Sequence, residues 1–300
     1  MRILVTGAKG QLGNEIRRCL EGMVAEIGAI PDVYEGAEVD YIDYEELDIT
    51  DEAAVDVWFS NHLYDLVINC AGYTNVDGCE INEEIAYAVN AVGPKNLANA
   101  AEREGAKLVH ISTDYVFPGD DPRPRCEEDP TGPISAYGRT KLAGEEMVKA
   151  ECSRSFICRT AWLYGYEGKN FVRTVRSLGE AREEVTVVDD QLGNPTSAND
   201  LAYEILRVAA TDGYGTYHMT NEGTCSWAEF ATRIMEKSGL ACKVVPVTSE
   251  QYKAANPKSA DRPRFSSLNN ARLAETVGNE MRPWEQAIDS FIANLDGMGA

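Results

Sequence analysis

Short apolar runs alternate with longer amphipathic stretches along the first half of the chain. Residues 66–68 and 108–111 are almost continuously apolar, as expected of strands that are buried on both faces. This alternation is typical of βαβ units around a parallel sheet. The predicted strands are residues 2–6, 39–42, 66–70, 107–112 and 155–159, and the predicted helices are residues 11–22, 51–62, 80–105 and 135–151.

Two stretches depart from this pattern. Residues 21–38 carry Gly and Pro among acidic residues and exceed the usual length of a helix-to-strand connection, so we expect a surface insertion. Residues 118–133 contain five Pro and therefore predict a long irregular loop, which should lie over the carboxyl edge of the sheet.

The second half of the chain mixes shorter strands with helices. Strands are predicted at residues 185–188, 216–219 and 243–247. One helix should begin at the capping box Ser226-Trp-Ala-Glu229 and end at Gly239, and a last one should begin at Pro283. Together the patterns predict an α/β protein in which a nucleotide-binding domain and a smaller C-terminal domain close a cleft.

Composition excludes several classes of function. Lys and Arg number 28 against 49 Asp and Glu, a net charge of −21, which disfavours nucleic acid as a partner. The eight Cys include no C-x-x-C pair and the three His lie far apart, so no zinc framework is visible. Because the chain shows neither an 18-residue apolar segment nor a signal peptide, we expect a soluble cytoplasmic protein without a membrane partner.

Three glycines with the spacing G-x-x-G-x-x-G, Gly7, Gly10 and Gly13, follow the first strand and open the first helix. Glycines in this place let a pyrophosphate approach backbone N–H groups at the positive end of a helix, although they would also suit a tight turn alone. We therefore predict an NAD(P)-binding domain over residues 1–163. Residues 164–300 should be mainly a substrate-binding region, with some segments returning to the first domain.

Tyr137 and Lys141 lie four residues apart on a predicted helix, so the phenol and the ammonium group share one face. The cation should favour the phenolate and make Tyr137 a general acid for a carbonyl oxygen, whereas a chance surface pair is the alternative. Thr113, at the end of a predicted strand, should stand at the edge where ligands bind in such folds.

Three further segments have both a functional and a structural interpretation. The small residues of Asn69-Cys-Ala-Gly72 would place backbone beside a nicotinamide, or would only permit close packing. Asp48 would lie near an adenine, or this segment would cap the helix that begins at Glu52. Asn90 would order a water molecule or a bend in the helix backbone, or it would be an ordinary polar residue of the helix.

Several segments together resemble one family of extended short-chain dehydrogenases/reductases, the dTDP-4-dehydrorhamnose reductases, over nearly the whole chain. The resemblance rests on the glycine motif and the Tyr137 motif, and more specifically on Ser112-Thr-Asp-Tyr-Val-Phe117, Arg159-Thr-Ala-Trp-Leu-Tyr-Gly165 and Asp190-Gln-Leu-Gly-Asn-Pro-Thr196. It implies a Rossmann-type doubly wound parallel sheet with a smaller C-terminal α/β substrate-binding domain. It also implies reduction of the 4-keto group of dTDP-4-dehydro-L-rhamnose by NADPH or NADH, for surface polysaccharide.

The resemblance assigns roles to individual residues. Thr113, Tyr137 and Lys141 would be catalytic, with Thr113 and Tyr137 holding the keto oxygen and Lys141 binding the nicotinamide ribose. The implied substrate contacts are Thr113, Asp114, Tyr137, Trp162, Asn170 and Arg262. The implied cofactor contacts are Gly7, Gly10, Gln11, Leu12, Gly13, Asp43, Asp48, Ile49, Cys70, Ala71, Gly72, Tyr73, Thr74, Asn90, Tyr137 and Lys141.

Some questions stay open at this level. The insertion shifts the second strand, and Asp43-Tyr44 is the best candidate for the ribose-reading position. Magnesium is a further candidate cofactor, because some family members use it at an acidic dimer contact, and both monomer and homodimer are compatible with the sequence. Alternative functions are another nucleotide-sugar reductase, epimerase or dehydratase, and a non-catalytic subunit that resembles the regulatory subunit of methionine adenosyltransferase.

Overall fold

The computed structural model describes residues 1–298 of the chain. The strands are β1 (Arg2–Thr6), β2 (Val24–Ala25), β3 (Gly28–Ala29), β4 (Glu38–Ile42), β5 (Leu66–Asn69), β6 (Lys107–Thr113), β7 (Ser155–Thr160), β8 (Leu163–Tyr164), β9 (Glu184–Val188), β10 (Leu192–Gly193), β11 (Thr196–Ser197), β12 (Gly215–His218), β13 (Cys225–Ser226) and β14 (Lys243–Val247). The helices are α1 (Gln11–Gly22), α2 (Glu52–Asn61), α3 (Val76–Ile81), α4 (Glu83–Tyr87), α5 (Gly93–Glu104), α6 (Ala136–Glu151), α7 (Phe171–Ala181), α8 (Ala198–Ala209), α9 (Trp227–Lys237), α10 (Ser249–Ala255), α11 (Ala271–Thr276) and α12 (Trp284–Met298).

Six of the described strands form one parallel sheet in the order β12-β7-β6-β5-β1-β4. The chain starts at β1, adds β4 on one side and then continues from β5 on the other. The crevice above β1 is therefore a topological switch point, where ligands bind in doubly wound sheets. The predicted Rossmann-type fold is confirmed, and each of the five strands predicted in the first half is present within one residue at either end.

Helices cover both faces of this sheet. One face packs α1 and α8 over side chains that include Ile3, Val5 and Val109. The other packs α2, α5 and α6 over Leu4, Val67 and Leu108. This arrangement explains the continuous apolarity of β5, whose four residues are all buried.

Part of the second half of the chain returns to the sheet. Helix α8 packs against α1, and β12 pairs with β7 in parallel from Gly215 to His218. A separate core joins α7, α9 and α12 to the parallel pair β9 and β14. The division of the chain into two regions at residue 163 stays a prediction. The last two residues of the predicted second region, 299 and 300, lie outside the described part of the chain.

Residues 21–38 lie mostly at the surface, as expected, but they are structured and are anchored by the buried residues Ala25, Ile30 and Tyr34. The segment forms the hairpin β2–β3 and a 3₁₀ turn, and Tyr34 in that turn is 2% exposed. The Tyr34 hydroxyl donates to the Leu206 carbonyl oxygen on α8 at 2.7 Å, and the Glu26 backbone N–H donates to Asn199 at 2.7 Å. The segment therefore helps to fasten α8 to the first half of the chain, a long-range contact that its Gly and Pro content does not indicate.

The single helix predicted over residues 80–105 is wrong. Asn75 caps α3, the backbone of Asn82 leaves the helical region, and a π-helical turn at Ala88–Val92 separates α4 from α5. Pro94 has no N–H to give to the Asn90 carbonyl four residues earlier, which loosens the helix at this turn. Helix α6 passes close to the turn because Gly144 has no side chain, since a Cβ there would lie 2.1 Å from the Asn90 carbonyl oxygen.

A buried ion pair ties α6 to the sheet. Arg159 on β7 donates from Nε and Nη2 to the two carboxylate oxygens of Glu145 on α6, at 2.9 and 2.7 Å. The Ser112 hydroxyl on β6 donates to the same carboxylate at 2.6 Å. Glu145 is fully buried and Arg159 is 3% exposed, so each group depends on the other for its charge to be tolerated.

None of the helices within residues 1–298 combines the length and the apolar composition that a membrane span requires.

Glu145→Gln should lower the free energy of unfolding by about 3–5 kcal/mol, because it leaves the Arg159 guanidinium buried without its counter-charge. Burial acts to raise the pKa of the Glu145 carboxyl group. The hydrogen bonds from Arg159 and Ser112 and the positive charge of Arg159 outweigh burial and hold this pKa below its usual value. The wild-type pair therefore contributes its full stability above the unfolded pKa, and the contribution is lost as pH falls through the lower folded pKa. Urea unfolding at several pH values measures both effects.

Asp56→Asn is the matched control, because it breaks the 2.7 Å ion pair between Asp56 and Arg103, whose side chains are about half exposed. It should cost much less than Glu145→Gln. Equal losses in the two variants would contradict the importance of the buried pair.

Candidate active site

The glycine motif forms a tight connection between β1 and α1. Gly7 has a positive φ of 63°, and a Cβ there would lie 2.6 Å from the Ala71 backbone nitrogen. A Cβ on Gly13 would lie 2.4 Å from the Gly7 carbonyl oxygen. Glycine is therefore required for the loop to pass this close to the end of β5, and the first turn of α1 is left open to the crevice above β1.

The main cleft of about 510 Å³ opens beside this loop. It lies at the carboxyl ends of β5, β6 and β7, and it brings together residues that are far apart in the sequence. Its lining includes most of the predicted site residues, namely Gly10, Gln11, Leu12, Gly13, Cys70, Ala71, Gly72, Thr74, Thr113, Asp114, Tyr137, Lys141, Trp162, Asn170 and Arg262.

Helix α6 carries Tyr137 and Lys141 into this cleft. Ser135 caps the helix by accepting a hydrogen bond from the Gly138 N–H at 3.2 Å, which places Tyr137 in the first turn. The Lys141 ammonium, one turn later, donates to the Ile111 carbonyl oxygen of β6 at 2.5 Å. Burial lowers the pKa of Lys141 to about 8, although Glu145 opposes this shift.

The expected effect of Lys141 on Tyr137 is not found. Burial raises the pKa of the Tyr137 phenol, and the neighbouring Thr113 hydroxyl opposes this shift in part. Asp114 and Cys79 raise the pKa further, and Lys141 is not among the groups that influence it. The Lys141 ammonium group donates instead to β6. A phenol with its ordinary pKa is already protonated at neutral pH, and burial of Tyr137 raises the pKa further.

Thr113 ends β6 next to this phenol. Its hydroxyl donates to Asp114 Oδ1 at 2.8 Å and accepts from the Tyr115 N–H at 3.2 Å. Asp114 is 2% exposed and its Oδ2 has no hydrogen-bond partner in the described structure. Burial raises the pKa of Asp114 to about 7, against the hydrogen bonds from Ser266 and Thr113. The Asp114 carboxyl group is therefore a buried polar group in the lining of the cleft.

A second cavity of about 340 Å³ lies on the other side of the glycine loop and is lined by Gly7, Asp43, Asp48 and Ile49. Asp43 follows β4 directly, and its Oδ2 accepts from the Lys9 backbone N–H at 3.0 Å. Asp48 accepts from the N–H and the hydroxyl of Thr50, whereas Asp51 caps α2. The capping interpretation is therefore confirmed for Asp51, and the adenine contact of Asp48 stays a prediction.

Tyr73 and Asn90 do not line either cavity. The Asn90 side chain accepts from the Tyr73 N–H at 2.8 Å and donates to the Tyr73 carbonyl oxygen at 3.1 Å. It also donates to the Thr140 hydroxyl at 3.1 Å. Asn90 therefore holds the strand-end loop against α6, and its predicted cofactor contact stays a prediction.

Trp162, Asn170 and Arg262 line the cleft, and their predicted contacts with the substrate stay predictions. The Asn170 side chain caps α7 and donates to Gln11 at 3.1 Å, so its amide is already engaged. Arg262 donates to Asp77 Oδ1 at 2.9 Å, and the Ala260 N–H donates to the same oxygen at 2.9 Å. These contacts hold the residue 260–262 segment over the mouth of the cleft.

The sequence did not identify several lining residues. Trp227 stacks on Trp162, and the buried Thr160 hydroxyl has no partner among the described residues. The Trp227 capping box is visible in the sequence, but nothing in it indicates contact with a residue 65 positions earlier.

Of the described residues that line the main cleft, Lys141, Lys169 and Arg262 are cationic and Asp114 is acidic. This balance suits an anionic ligand in an otherwise acidic protein.

Residues 1–298 offer no group of three or more His, Cys, Asp or Glu side chains that could hold a metal ion. In particular, Arg282 pairs with the carboxylates of Glu26 and Asp200, which are therefore not free to bind a cation. The magnesium ion at an acidic dimer contact that the resemblance raised as a candidate stays a prediction.

Comparison with known proteins places this geometry in a family. The chain matches the sequence profile of the RmlD substrate binding domain over residues 1–296. It belongs to this family. A dTDP-4-dehydrorhamnose reductase of Mycobacterium tuberculosis is 40% identical over 299 residues, which cover 97% of this chain and 92% of that protein. The predicted resemblance is therefore confirmed.

Solved structures of the RmlD family have the same fold. A dTDP-4-dehydrorhamnose reductase from Clostridium acetobutylicum aligns with a TM-score of 0.92 and 45% identity, covering 99% of this chain and all of that one. The Bacillus anthracis dTDP-4-dehydrorhamnose reductase, solved in complex with NADP, aligns with a TM-score of 0.90 and 40% identity, covering 98% and 99% of the two chains.

Gly7→Ala should destabilise the protein more than Gly239→Ala, although both glycines have a φ near 65°. Gly239 has open space where a Cβ would be, so its variant reports the cost of the left-handed backbone, about 1–2 kcal/mol. At Gly7 the added methyl group also meets the Ala71 backbone, which should add about 1–3 kcal/mol. Urea unfolding of the two variants compares them directly, and equal losses would mean that the loop yields to a side chain.

Proposed function

We propose that the protein reduces the 4-keto group of dTDP-4-dehydro-L-rhamnose with NADH or NADPH, giving dTDP-L-rhamnose, a precursor of surface polysaccharide. The observation that carries the proposal is the joint placement of Tyr137, Lys141 and Thr113 in one cleft that begins at an open glycine loop. The dTDP-4-dehydrorhamnose reductases at about 40% identity over nearly the whole chain support the choice of substrate.

A nicotinamide dinucleotide fits the residues of this crevice. The first turn of α1 follows glycines whose missing side chains leave backbone N–H groups accessible to a pyrophosphate. The smaller cavity, with Asp43, Asp48 and Ile49, would hold the adenosine, and this is supported by the Cys70–Gly72 segment, which lines both cavities. When bound there, the reduced cofactor supplies a hydride to the sugar carbon.

Tyr137 is the proton donor in this proposal. As the cofactor's hydride would add to C4 and the carbonyl π electrons would move to the oxygen, Tyr137 would give its phenolic proton to that oxygen. Thr113 donates a second hydrogen bond to that oxygen after its hydroxyl turns away from Asp114. Lys141 would bind the hydroxyl groups of the nicotinamide ribose with its ammonium group, and the Asp114 carboxyl group would form a hydrogen bond with a sugar hydroxyl.

The diphosphate of the substrate would bind at the cationic side of the cleft. Arg262 has a planar guanidinium that suits two phosphate oxygens, and Lys169 adds a second positive charge. Trp162 would form a wall of the sugar site. The amide of Asn170 is engaged with Gln11 and the α7 cap, so its contribution to substrate binding would be to shape the site.

Tyr137→Phe should lower turnover about 100-fold or more, because the variant keeps the ring and loses the proton donor. The measurement is NAD(P)H oxidation with enzymatically generated dTDP-4-dehydro-L-rhamnose, which also tests the proposed reaction in the wild-type protein. Cofactor affinity, followed by NADH fluorescence, should be nearly unchanged. Tyr34→Phe is the control, since it removes a buried phenol outside the cleft, and its turnover should match the wild type.

Undiminished turnover in Tyr137→Phe would remove the residue from the mechanism. A wild-type protein that binds NADH but oxidises none with this sugar would reject the proposed reaction. It would then favour the alternative of a non-catalytic NAD(P)-binding subunit or of another nucleotide-sugar enzyme.

Both cofactors should support the reaction, with a modest preference for NADH. The Asp43 carboxylate at the end of β4 would accept hydrogen bonds from the adenosine ribose and repel a 2′-phosphate. Lys9 offsets part of this repulsion, although Glu45 already pairs with its ammonium group at 2.8 Å. Asp43→Asn should shift the ratio of kcat/KM values towards NADPH, whereas Asp32→Asn, outside the cavity lining, should leave the ratio unchanged.

A wild-type preference of about 100-fold for NADPH, roughly 2.8 kcal/mol, would show that Asp43 is not at the ribose. The preference itself, the cytoplasmic location and the choice between monomer and homodimer stay predictions.

A further inference from the structure

Trp162 has a backbone conformation that its side chain does not favour. Among residues 1–298, Met23 and Trp162 are the non-glycine residues with positive φ, and Trp162 has a φ of 46°. A bulky residue in the left-handed region is an outlier that persists only where its surroundings hold it. Trp162 follows β7 by two residues and lines the cleft opposite α6. Some neighbouring group must therefore fix the direction of its indole.

Trp227 covers one face of that indole. The two ring centroids are 3.5 Å apart and the ring planes differ by 7°. Trp227 is the first residue of α9, whose start is fixed by the capping box of Ser226 and Glu229. The Ser226 hydroxyl also donates to Asp189 at 2.6 Å. The Trp227 ring packs further against Phe171 of α7, with centroids 4.5 Å apart.

Gly193 provides the space for the same indole. A Cβ at Gly193 would lie 2.5 Å from Cε2 and 2.7 Å from Nε1 of Trp162. In the short ladder of β10 and β13, Gly193 pairs with Cys225, and Trp227 begins the helix that directly follows β13. One two-stranded ladder thus builds both sides of the slot that contains Trp162.

We infer that Trp227, together with Gly193, is a positioning residue that holds the Trp162 indole as a fixed wall of the sugar site. Without the stacked ring, Trp162 would relax to an ordinary extended backbone and its indole would leave the cleft. Tyr137 and Lys141 lie on α6, outside this slot, so the effect should fall on the sugar and not on the cofactor. The identity of the sugar rests on the proposed function, but the positioning of the indole does not.

The first test is spectroscopic and needs no substrate. Two indoles stacked this closely couple their excited states and give a pair of circular dichroism bands of opposite sign. Trp162→Phe and Trp227→Phe should each abolish this couplet. Trp284→Phe is the control, because it removes a third indole from the same C-terminal core that does not stack on Trp162. A wild-type protein without the couplet would overturn the inference.

The second test is kinetic. Trp227→Leu should raise KM for dTDP-4-dehydro-L-rhamnose about tenfold or more while the Kd of NADH stays unchanged. Trp227→Phe keeps an aromatic ring on the indole and should restore KM nearly to the wild-type value. Gly193→Ala should raise KM in the same way as Trp227→Leu, because the methyl group displaces the indole. A Trp227→Leu protein that is less stable but has the wild-type KM would show a merely structural role and overturn the inference.

A double variant decides whether Trp227 acts through Trp162. Trp162→Ala/Trp227→Leu should have the same KM as Trp162→Ala alone, since no indole remains to be positioned. If the KM increases of the two single variants multiply in the double variant, the two residues act independently and the inference is contradicted. A wild-type protein that does not reduce this sugar would reject the proposed function. If that protein still shows the couplet and Trp227→Phe abolishes the couplet, the positioning of Trp162 is supported.

Discussion

The buried contact between Arg159 and Glu145 is the constraint on which the site depends. It fixes α6, which carries Tyr137 and Lys141, to β7, which leads directly to Trp162. Ser112 on β6 joins the same carboxylate one residue before Thr113. This ion pair therefore helps to set the relative positions of the proton donor and of the hydroxyl beside it, and it anchors the strand that leads to Trp162. Because both charges are buried, neither element can move without leaving a charge uncompensated.

Much of the fold follows from local sequence patterns. Apolar runs predicted the five strands of the first half, and the capping box of Ser226 and Glu229 predicted the start of α9. These signals are local because strand burial and helix capping involve neighbouring residues. The break at Asn82 and the π-helical turn before Pro94 were missed, since the apolar periodicity continues through them. The docking of residues 21–38 was missed because its partners lie on α8, about 170 positions away.

The candidate site shows the same division. Spacing alone placed Gly7, Tyr137 and Lys141, because each motif is complete within a few residues and the parallel sheet brings strand ends to one edge. The direction of the Lys141 ammonium could not be predicted, since it depends on the Ile111 carbonyl of a separate strand. The stack of Trp162 and Trp227 likewise requires the residues after β7 to meet the start of α9, 65 positions later, and no local pattern encodes that contact.

The protonation of the unliganded site agrees with a reductive direction of catalysis. Burial keeps the proton on Tyr137, and the carboxyl group of Asp114 next to it raises the pKa of the phenol further. A neutral phenol can give its proton to a carbonyl oxygen as the hydride arrives, whereas oxidation of an alcohol would begin with a phenolate. The ammonium of Lys141 acts at a distance from the phenol and stays available to the cofactor ribose. The Tyr137 phenol therefore carries the proton that the reduction of a ketone requires.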